Sequence, residues 1–445
     1  MKLWRDIVTP RDKILSDALE YGDKPEMEFR AGETYIPVAK AVMNGDEVRN
    51  LIDVALDLPD KFTPHGKYTT SFSRKLLAAH RNIMRCVQLT NSGSSANLLA
   101  ISALTSPAFG RRGIKPGDEI ITVAAGFPTT VNPIIQNRAV PVFLDVDTDT
   151  FTPDVTQIEM AVEEGKTKAI MLANPLGNPV DSVSIRDICD EFGILYIEDN
   201  SDGLGGTLNE LPLGTFGDMS TLSFYPAHHL CGGEAGAILS KSPMINKVIN
   251  SFCSWGRSCW CEPGKDNTCG KRFSHKWESL PEGYDHKYVY EHIGYNLKGN
   301  EFSAALLDAQ IDKLDFFTAM RRLNWSRLHV GLEKYSKYLK FQKPTKGSNP
   351  SWFGFAISLK EPAPFIRLEL VTYLESHKIG TRQFFGGNLL RQPMYKDINH
   401  RVFGNLNGSD YLCKNTFWVG CHPAMKEEHV DWIIKTIGDF MESHK

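Results

Sequence analysis

The sequence predicts an α/β fold, with a large domain built on a mostly parallel sheet and a smaller C-terminal α/β domain. Apolar runs of strand length alternate with helix-length mixtures of polar and apolar residues, which is typical of a parallel sheet covered on both faces by helices. The chain of 445 residues, 42% of them hydrophobic, can also bury a large core. We expect residues 1–315 to form an N-terminal segment and the large domain, and residues 316–445 to form the small domain.

The elements are predicted in chain order from their hydrophobic spacing. An irregular lead-in from about residue 30 to 80 contains one helix at about 46–58, and a short apolar run then passes through a glycine turn into helical spacing. A long helix after about residue 313 leads into the small domain. The predicted strands are 119–123, 141–144, 169–173, 194–197, 352–356 and 417–420.

Composition and charge favour small-molecule chemistry. The net charge is -3, from 50 basic and 53 acidic residues without a long basic run, which gives no electrostatic reason to expect nucleic acid or a membrane surface as partner. The sequence contains no apolar stretch of membrane-spanning length, and its charged start lacks the apolar core of a signal peptide. We therefore expect a cytoplasmic protein whose nine cysteines are buried thiols or ligands rather than disulfides.

A turn rich in serine and glycine stands where a strand gives way to a helix, at residues 91–96. Gly93 and Ser94 open that helix, whose first amides can hold a phosphate. Taken alone, the turn is better explained as an ordinary helix cap.

Three further residues point to a pyridine-ring cofactor. Asp199 ends a buried strand and can pair with a pyridinium nitrogen, and Phe127 follows another strand end and can stack on the ring. Ser223 offers a hydroxyl to the phosphate. Together with the turn, these residues indicate a pyridoxal-type site.

In order and spacing these pieces resemble the DegT/DnrJ/EryC1/StrS family of sugar aminotransferases that depend on pyridoxal phosphate (PLP), over nearly the whole chain from about Arg30. The resemblance implies a fold-type-I PLP-dependent aminotransferase-like architecture. It also implies a homodimer, because Asn296 matches an asparagine that reaches the neighbouring subunit's cofactor phosphate. The residues that it assigns to cofactor binding are Gly93, Ser94, Phe127, Asp199, Ser223 and Asn296.

Position 228 departs from the family pattern, because His228 stands where the family carries its lysine. A histidine cannot form an imine with an aldehyde, so we expect the cofactor to be held without a covalent bond, as pyridoxamine phosphate (PMP). Histidine at this position resembles the 3-dehydrase branch, which removes the 3-hydroxyl of a nucleotide-linked 4-keto-6-deoxyhexose. We expect His228 to be the catalytic base, because an imidazole is suited to proton transfer. Tyr225 and Asp202 lie near enough in sequence to line the same pocket. The alternative interpretation makes His228 an ordinary polar loop residue.

Three thiols fall within a short stretch rich in Gly, Pro and Asn, at Cys259, Cys261 and Cys269. Metal or iron–sulfur ligation explains such a loop better than incidental or redox-labile cysteines do. The cysteine loop, residues 253–273, resembles the signature of one subgroup, the CDP-4-keto-6-deoxyglucose 3-dehydrases that carry a [2Fe-2S] cluster. By that resemblance the loop supplies three of the four ligands.

Ser201 stands at the position that matches the subgroup's fourth cysteine. Serine oxygen can ligate iron but is harder and more basic than a thiolate, so a cluster held by it should have an altered potential and lower stability. Cys231 and Cys253 are alternative ligands, since one closely follows His228 and the other opens the cysteine loop.

The resemblance implies a reductive reaction in dideoxysugar biosynthesis. Loss of the hydroxyl leaves the sugar two electrons short of the 3-deoxy product, and a [2Fe-2S] centre can pass electrons singly from a partner. By resemblance, that partner is an NAD(P)H-dependent flavin and iron–sulfur reductase. Arg382 is expected at the nucleotide-sugar substrate, because paired donors suit a diphosphate, although structural arginines are commoner.

Two other functions stay open. A cluster-independent dehydrase that regenerates its amine with glutamate is favoured by Ser201 and opposed by the three clustered cysteines. An inactive family member that acts as a binding or regulatory subunit would need neither His228 nor Asp199. A plain aminotransferase is disfavoured, because the lysine that its proton transfer requires is missing.

Overall fold

The computed structural model describes residues 9–23, 28–61, 66–261 and 266–444. Part of the predicted cysteine loop, residues 262–265, lies outside these ranges. The helices are α1 (Pro10–Gly22), α2 (Gly45–Lys61), α3 (Lys67–Ala79), α4 (Gly93–Ala103), α5 (Pro128–Gln136), α6 (Val155–Ala161), α7 (Ser182–Phe192), α8 (Pro243–Cys253), α9 (Glu301–Gln310), α10 (Leu314–Leu332), α11 (Arg367–Ser376), α12 (Asn407–Asn415) and α13 (Glu427–Ser443). The strands are β1 (Cys86–Thr90), β2 (Glu119–Val123), β3 (Val140–Leu144), β4 (Thr167–Ala173), β5 (Leu195–Asp199), β6 (Thr207–Leu208), β7 (Leu211–Pro212), β8 (Met219–Ser223), β9 (Gly236–Ser240), β10 (Leu339–Phe341), β11 (Ser348–Asn349), β12 (Gly354–Leu359), β13 (Arg382–Gln383), β14 (Arg401–Val402) and β15 (Thr416–Gly420).

A large sheet organises the molecule, with strand order β1-β9-β8-β5-β4-β2-β3-β14. The pairs from β8 to β14 are parallel, and β9 pairs antiparallel with both β8 and β1. Strands β2, β3 and β5 are buried along their whole length, because apolar clusters pack against both faces of the sheet. The predicted α/β fold with a mostly parallel sheet is confirmed.

Most of the predicted elements are present. Strand β2 coincides with its predicted bounds, β3, β4, β5, β12 and β15 lie within three residues of theirs, and α2 and α10 match the two expected helices. Helix α3 is the exception, because the sequence predicted irregular structure there. The amides of Gly66, Tyr68 and Thr69 at its start all donate to the carboxylate of Glu301, so this helix is capped by a residue far away in sequence.

A second, antiparallel sheet with strand order β10-β12-β15-β13 lies in the C-terminal third. A separate apolar cluster fills the space between this sheet and helices α10, α11 and α13. Two pairings join the C-terminal third to earlier parts of the chain, because Ile36 bridges Ile379 and strand β14 pairs with β3 of the large sheet. The division at residues 315 and 316 stays a prediction. In the described ranges, no helix has the length and apolar character needed to cross a bilayer.

Candidate active site

A cavity of about 870 Å³ opens at the carboxyl ends of β2, β4, β5 and β8. This is the edge at which parallel α/β sheets bind ligands, since the strand ends leave a crevice between the following loops. The predicted site residues that line it are Gly93, Ser94, Phe127, Asp199, Ser201, Asp202, Ser223, Tyr225, His228 and Arg382.

The Ser/Gly turn forms one wall of the cavity. Ser92 caps α4 by accepting a hydrogen bond from the Ser95 amide at 3.1 Å. Gly93 lies so close to Ser223 that a Cβ atom at position 93 would stand 2.5 Å from the Ser223 Cβ. Only glycine allows this approach, which brings the Ser223 hydroxyl beside the start of α4. The turn therefore fits a phosphate group, held by helix amides and serine hydroxyls.

Asp199 is held rigidly at the end of β5. Its Oδ2 atom accepts hydrogen bonds from Asn97 Nδ2 at 2.8 Å and Thr130 Oγ1 at 2.7 Å. Its Oδ1 atom accepts from the Ser201 hydroxyl at 2.7 Å and the Ser201 amide at 3.2 Å. Thr221 in turn donates to the Asn97 side-chain oxygen, which fixes the orientation of that amide. Four donors hold the carboxylate in one orientation, which suits a partner such as a protonated ring nitrogen.

Phe127 precedes α5 at the cavity wall and is 50% exposed. Its ring meets Phe385 edge-to-face with centroids 6.4 Å apart, so that contact leaves a ring face of Phe127 uncovered. An aromatic face open to a cavity suits stacking on a flat ligand.

His228 lies in a tight turn, where its amide donates to the Tyr225 carbonyl at 2.9 Å. Its Nδ1 atom is 3.3 Å from Asp202 Oδ1 but is not aligned for a hydrogen bond, and it has no such partner among the residues described. Burial raises the pKa of Asp202, although the nearby imidazole opposes the shift. The three predicted catalytic residues thus share one cavity with all the predicted cofactor ligands except Asn296.

Arg321 is a site residue that sequence reasoning missed. It lies fully buried on α10, donates to the His228 carbonyl at 3.2 Å, and also bonds the Trp352 and Phe353 carbonyls. Burial lowers the pKa of Arg321. The ring of Phe353 packs against the imidazole of His228, with centroids 5.1 Å apart. The sequence does show an arginine among apolar residues of a predicted helix, which could have indicated a buried charge. Its partners could not be predicted, because they come from segments that are remote in sequence.

Two exposed cations line the cavity mouth, the predicted Arg382 and the unpredicted Lys40. Arg382 donates to the Thr381 carbonyl at 2.7 Å, and Lys40 follows the segment in which Ile36 bridges Ile379. Asn296 is not among the described residues that line this cavity, and its side-chain oxygen accepts a hydrogen bond from Lys298.

The three predicted metal thiols line a second, much smaller cavity of about 10 Å³. Burial opposes ionisation of Cys261, but hydrogen bonds from Thr268 and Cys269 lower its pKa to about 7. Across the described ranges, no three His, Cys, Asp or Glu side chains are arranged to hold a metal ion as they stand. The residues around this thiol cavity are Cys259, Cys261, Cys269, Asp266, Asn267, Arg272, His286 and Lys287.

The predicted fourth ligands have other surroundings. Ser201 lines the cofactor cavity and donates to Asp199. Cys253 packs into an apolar cluster, where burial raises its pKa to about 11, and burial also raises the pKa of Cys231. A further group, the imidazole of His286, stands beside the thiols and was not predicted.

Comparison with known proteins places the chain among sugar-modifying enzymes. The model of the DegT/DnrJ/EryC1/StrS aminotransferase family matches residues 46–438. The chain is 47% identical to the lipopolysaccharide biosynthesis protein RfbH of Salmonella typhimurium, over 93% of each sequence. It is 44% identical to the dTDP-4-dehydro-2,6-dideoxy-D-glucose 3-dehydratase of Saccharopolyspora spinosa, over 97% of this chain and 92% of that one. The structure of the E. coli GDP-4-keto-6-deoxy-D-mannose-3-dehydratase with bound hydrated PLP is similar at a TM-score of 0.80, with 29% identity, over 91% of this chain and 100% of that chain.

Proposed function

The chain belongs to the DegT/DnrJ/EryC1/StrS aminotransferase family, as the sequence predicts, and on that premise we propose that it is a PMP-dependent 3-dehydrase of a nucleotide-linked 4-keto-6-deoxyhexose in dideoxysugar biosynthesis. The observation that carries this proposal is His228, which lines the same cavity as Asp199 and Ser223 at the position where the family carries lysine. The S. spinosa relative is itself named a 3-dehydratase of a nucleotide-linked dideoxyhexose.

The residues of the cavity have separate tasks in this proposal. Gly93, Ser94 and Ser223 hold the cofactor phosphate, and Asp199 keeps the ring nitrogen protonated. Phe127 covers one face of the ring. When bound, PMP would supply an amine for the C4 ketone of the sugar and a conjugated ring that draws electrons.

His228 moves the protons. Because its Nδ1 atom faces Asp202, Nε2 is the nitrogen available to remove a proton from the C4′ carbon of the cofactor. The Asp202 carboxylate stabilises the resulting imidazolium, and the backbone of the turn is held by Arg321. The protonated His228 can then deliver a proton to the C3 hydroxyl, which leaves as water.

Removal of the hydroxyl leaves the sugar two electrons and two protons short of the 3-deoxy product. We propose that a [2Fe-2S] cluster held by Cys259, Cys261 and Cys269 serves this reduction, supported by three thiols around one cavity. Such a cluster would supply single-electron transfer. The electron donor in this proposal is an NAD(P)H-dependent flavin and iron–sulfur reductase.

The substrate proposal is a CDP-linked sugar, bound by a homodimer. The exposed cations Arg382 and Lys40 at the cavity mouth suit a diphosphate. Asn296 lies away from its own cavity, which is consistent with a role at the cofactor phosphate of a second subunit.

The decisive experiment adds PMP and then CDP-, dTDP- or GDP-linked 4-keto-6-deoxyhexoses to the protein while the visible spectrum is recorded. We expect PMP to bind and its absorption to change with one of the three substrates, most strongly with the CDP sugar. Water loss at C3 is then followed by mass spectrometry of the sugar. If neither PMP nor any substrate changed the spectrum, the chain would be a binding or regulatory subunit rather than an enzyme.

A cluster-independent dehydrase coupled to glutamate is the second candidate, favoured by the position of Ser201 beside Asp199. The two candidates differ in the reagent that completes turnover. Multiple turnovers with glutamate in iron-free protein would establish the second candidate. Turnover only with a reductase, in protein that contains about two irons and two sulfides per chain, would establish the first.

A further inference from the structure

His286 reaches the thiol cavity from the segment that follows the cysteine loop. Its imidazole is 2% exposed, and Nδ1 lies 3.9 Å from the sulfur of Cys269. The ring is enclosed by Trp260 and Trp277, with centroids 5.6 and 5.3 Å away. A polar ring held this firmly presents one nitrogen to the thiols in a fixed direction.

The hydrogen bonds on the far side of the ring determine which nitrogen carries the proton. Nε2 lies 3.1 Å from the Ser258 hydroxyl, and that hydroxyl donates its hydrogen to Glu291 Oε1 at 2.7 Å. Because the Ser258 hydrogen is already used, its oxygen accepts from Nε2–H. The Nδ1 atom therefore carries a lone pair that faces Cys269. Metal-binding histidines are commonly oriented in a similar way, because the ring N–H that does not face the metal donates to an oxygen acceptor.

Ser201 has the opposite relation to the thiols. Its hydroxyl and amide are both engaged by Asp199, and it lines the cofactor cavity rather than the thiol cavity. Moving this hydroxyl to the thiols would remove one of the four donors on Asp199.

We propose that His286, rather than Ser201, is the fourth protein ligand of the iron–sulfur cluster, an inference that rests on the cluster of the proposed function. The ligand set is then Cys259, Cys261, Cys269 and His286. Bonds of about 2.3 Å to sulfur and about 2.0 Å to nitrogen, the lengths typical of tetrahedral zinc, place the two ligand atoms roughly 3.5 Å apart. The 3.9 Å separation of Cys269 and His286 thus needs only a small side-chain movement to close.

The test is pulsed EPR of the reduced full-length protein after anaerobic reconstitution with iron and sulfide, because a directly bound imidazole gives a strong ¹⁴N coupling. We expect that coupling in the wild type, in Ser201→Ala and in the matched control His275→Ala, an exposed histidine that stacks on His286 without lining the cavity. His286→Cys should keep the cluster and lose the coupling. His286→Ala should retain less than half of the wild-type iron and sulfide, and PMP binding shows whether that variant is folded.

Two results distinguish failure of this inference from failure of the proposed function. A cluster that lacks ¹⁴N coupling and is lost in Ser201→Ala would overturn the role of His286 and leave the proposed function in place. If the wild type and all variants bound PMP but took up no iron, or only zinc, the cluster itself would be excluded, and this inference with it.

Discussion

The cofactor cavity and the thiol cavity are built in different ways. Asp199 ends a buried strand and receives four hydrogen bonds, so the first site is positioned by the core of the large sheet. The thiols come from a loop, and their neighbours are held by short-range contacts such as that between Cys269 and His286. The comparison shows that strands of the large sheet position the first site, whereas a loop positions the second. A mutation in one site should therefore leave ligand binding at the other site unchanged.

The largest expected effect is at the base of the cofactor cavity. His228→Asn should lower kcat by about 10²–10⁴-fold, because an amide cannot transfer the proton. PMP affinity and iron content should stay within a factor of two or so of the wild type, since Asp199 and the thiols are untouched. Single-turnover kinetics and iron analysis on one preparation measure both. Full activity in this variant would end the assignment of His228 as base.

The variant Asp199→Asn tests the cofactor site through its affinity for PMP. The amide cannot offer a charge to the pyridinium and also conflicts with the donors Asn97 and Thr130. PMP binding should weaken by about 1.5–3 kcal/mol, the range of hydrogen bonds to charged groups. Titration of PMP absorbance gives the value, with Asp218→Asn, a carboxylate away from the cavity, as the control. Equal affinity in both variants would mean that the ring nitrogen lies elsewhere.

Low pH should destabilise the folded protein through His422, which lies near the cofactor cavity. This buried imidazole bonds the Pro37 carbonyl, just before the segment that lines the cavity, and burial lowers its pKa to about 3. In the unfolded chain the same imidazole takes up a proton near pH 6.5. The stability that comes from burying neutral His422 is therefore fully present above pH 6.5 and is lost as the pH falls towards 3.

The loss expected from His422 alone between pH 7 and pH 5 is roughly 2 kcal/mol in the free energy of unfolding. Burial also lowers the pKa of His80 and of His229, so these residues add to the total pH dependence. Urea denaturation at both values measures the total, and His422→Gln should reduce it by the share of His422, whereas exposed His275→Gln should leave it unchanged. An unchanged pH dependence in His422→Gln would assign acid sensitivity to other groups.

Ser201→Ala should have the smallest effect and separates the two cavities most directly. The variant loses one hydroxyl donor to Asp199 and keeps the amide donor, so PMP affinity should fall by about 1 kcal/mol. Iron and sulfide content should not change. A large loss of iron with unaltered PMP affinity would instead mean that Ser201 is a ligand of the cluster.

Local patterns predicted the sheet well and the thiol site only in part. Buried strands such as β2 can be recognised in the sequence because each is a continuous apolar run. The ends of such strands place Asp199 and Phe127 at one edge of the sheet. The roles of Arg321 and His286 depend on partners that only the folded chain brings together, such as the His228 carbonyl and Ser258. The cap that Glu301 provides to α3 was missed for the same reason.

Strand β14 is only two residues long, yet it adds a C-terminal strand to the large sheet beside β3. Arg401 in that strand also binds Glu119 at the start of β2 with two hydrogen bonds. Splitting the gene after residue 315 would leave β3 with an open edge, which favours aggregation of the first fragment. It would also take Arg401 from the buried Glu119, which would keep its ion pair with Lys166. Exchange of C-terminal modules between relatives by recombination should therefore succeed only when the crossover carries both β3 and β14 from the same parent.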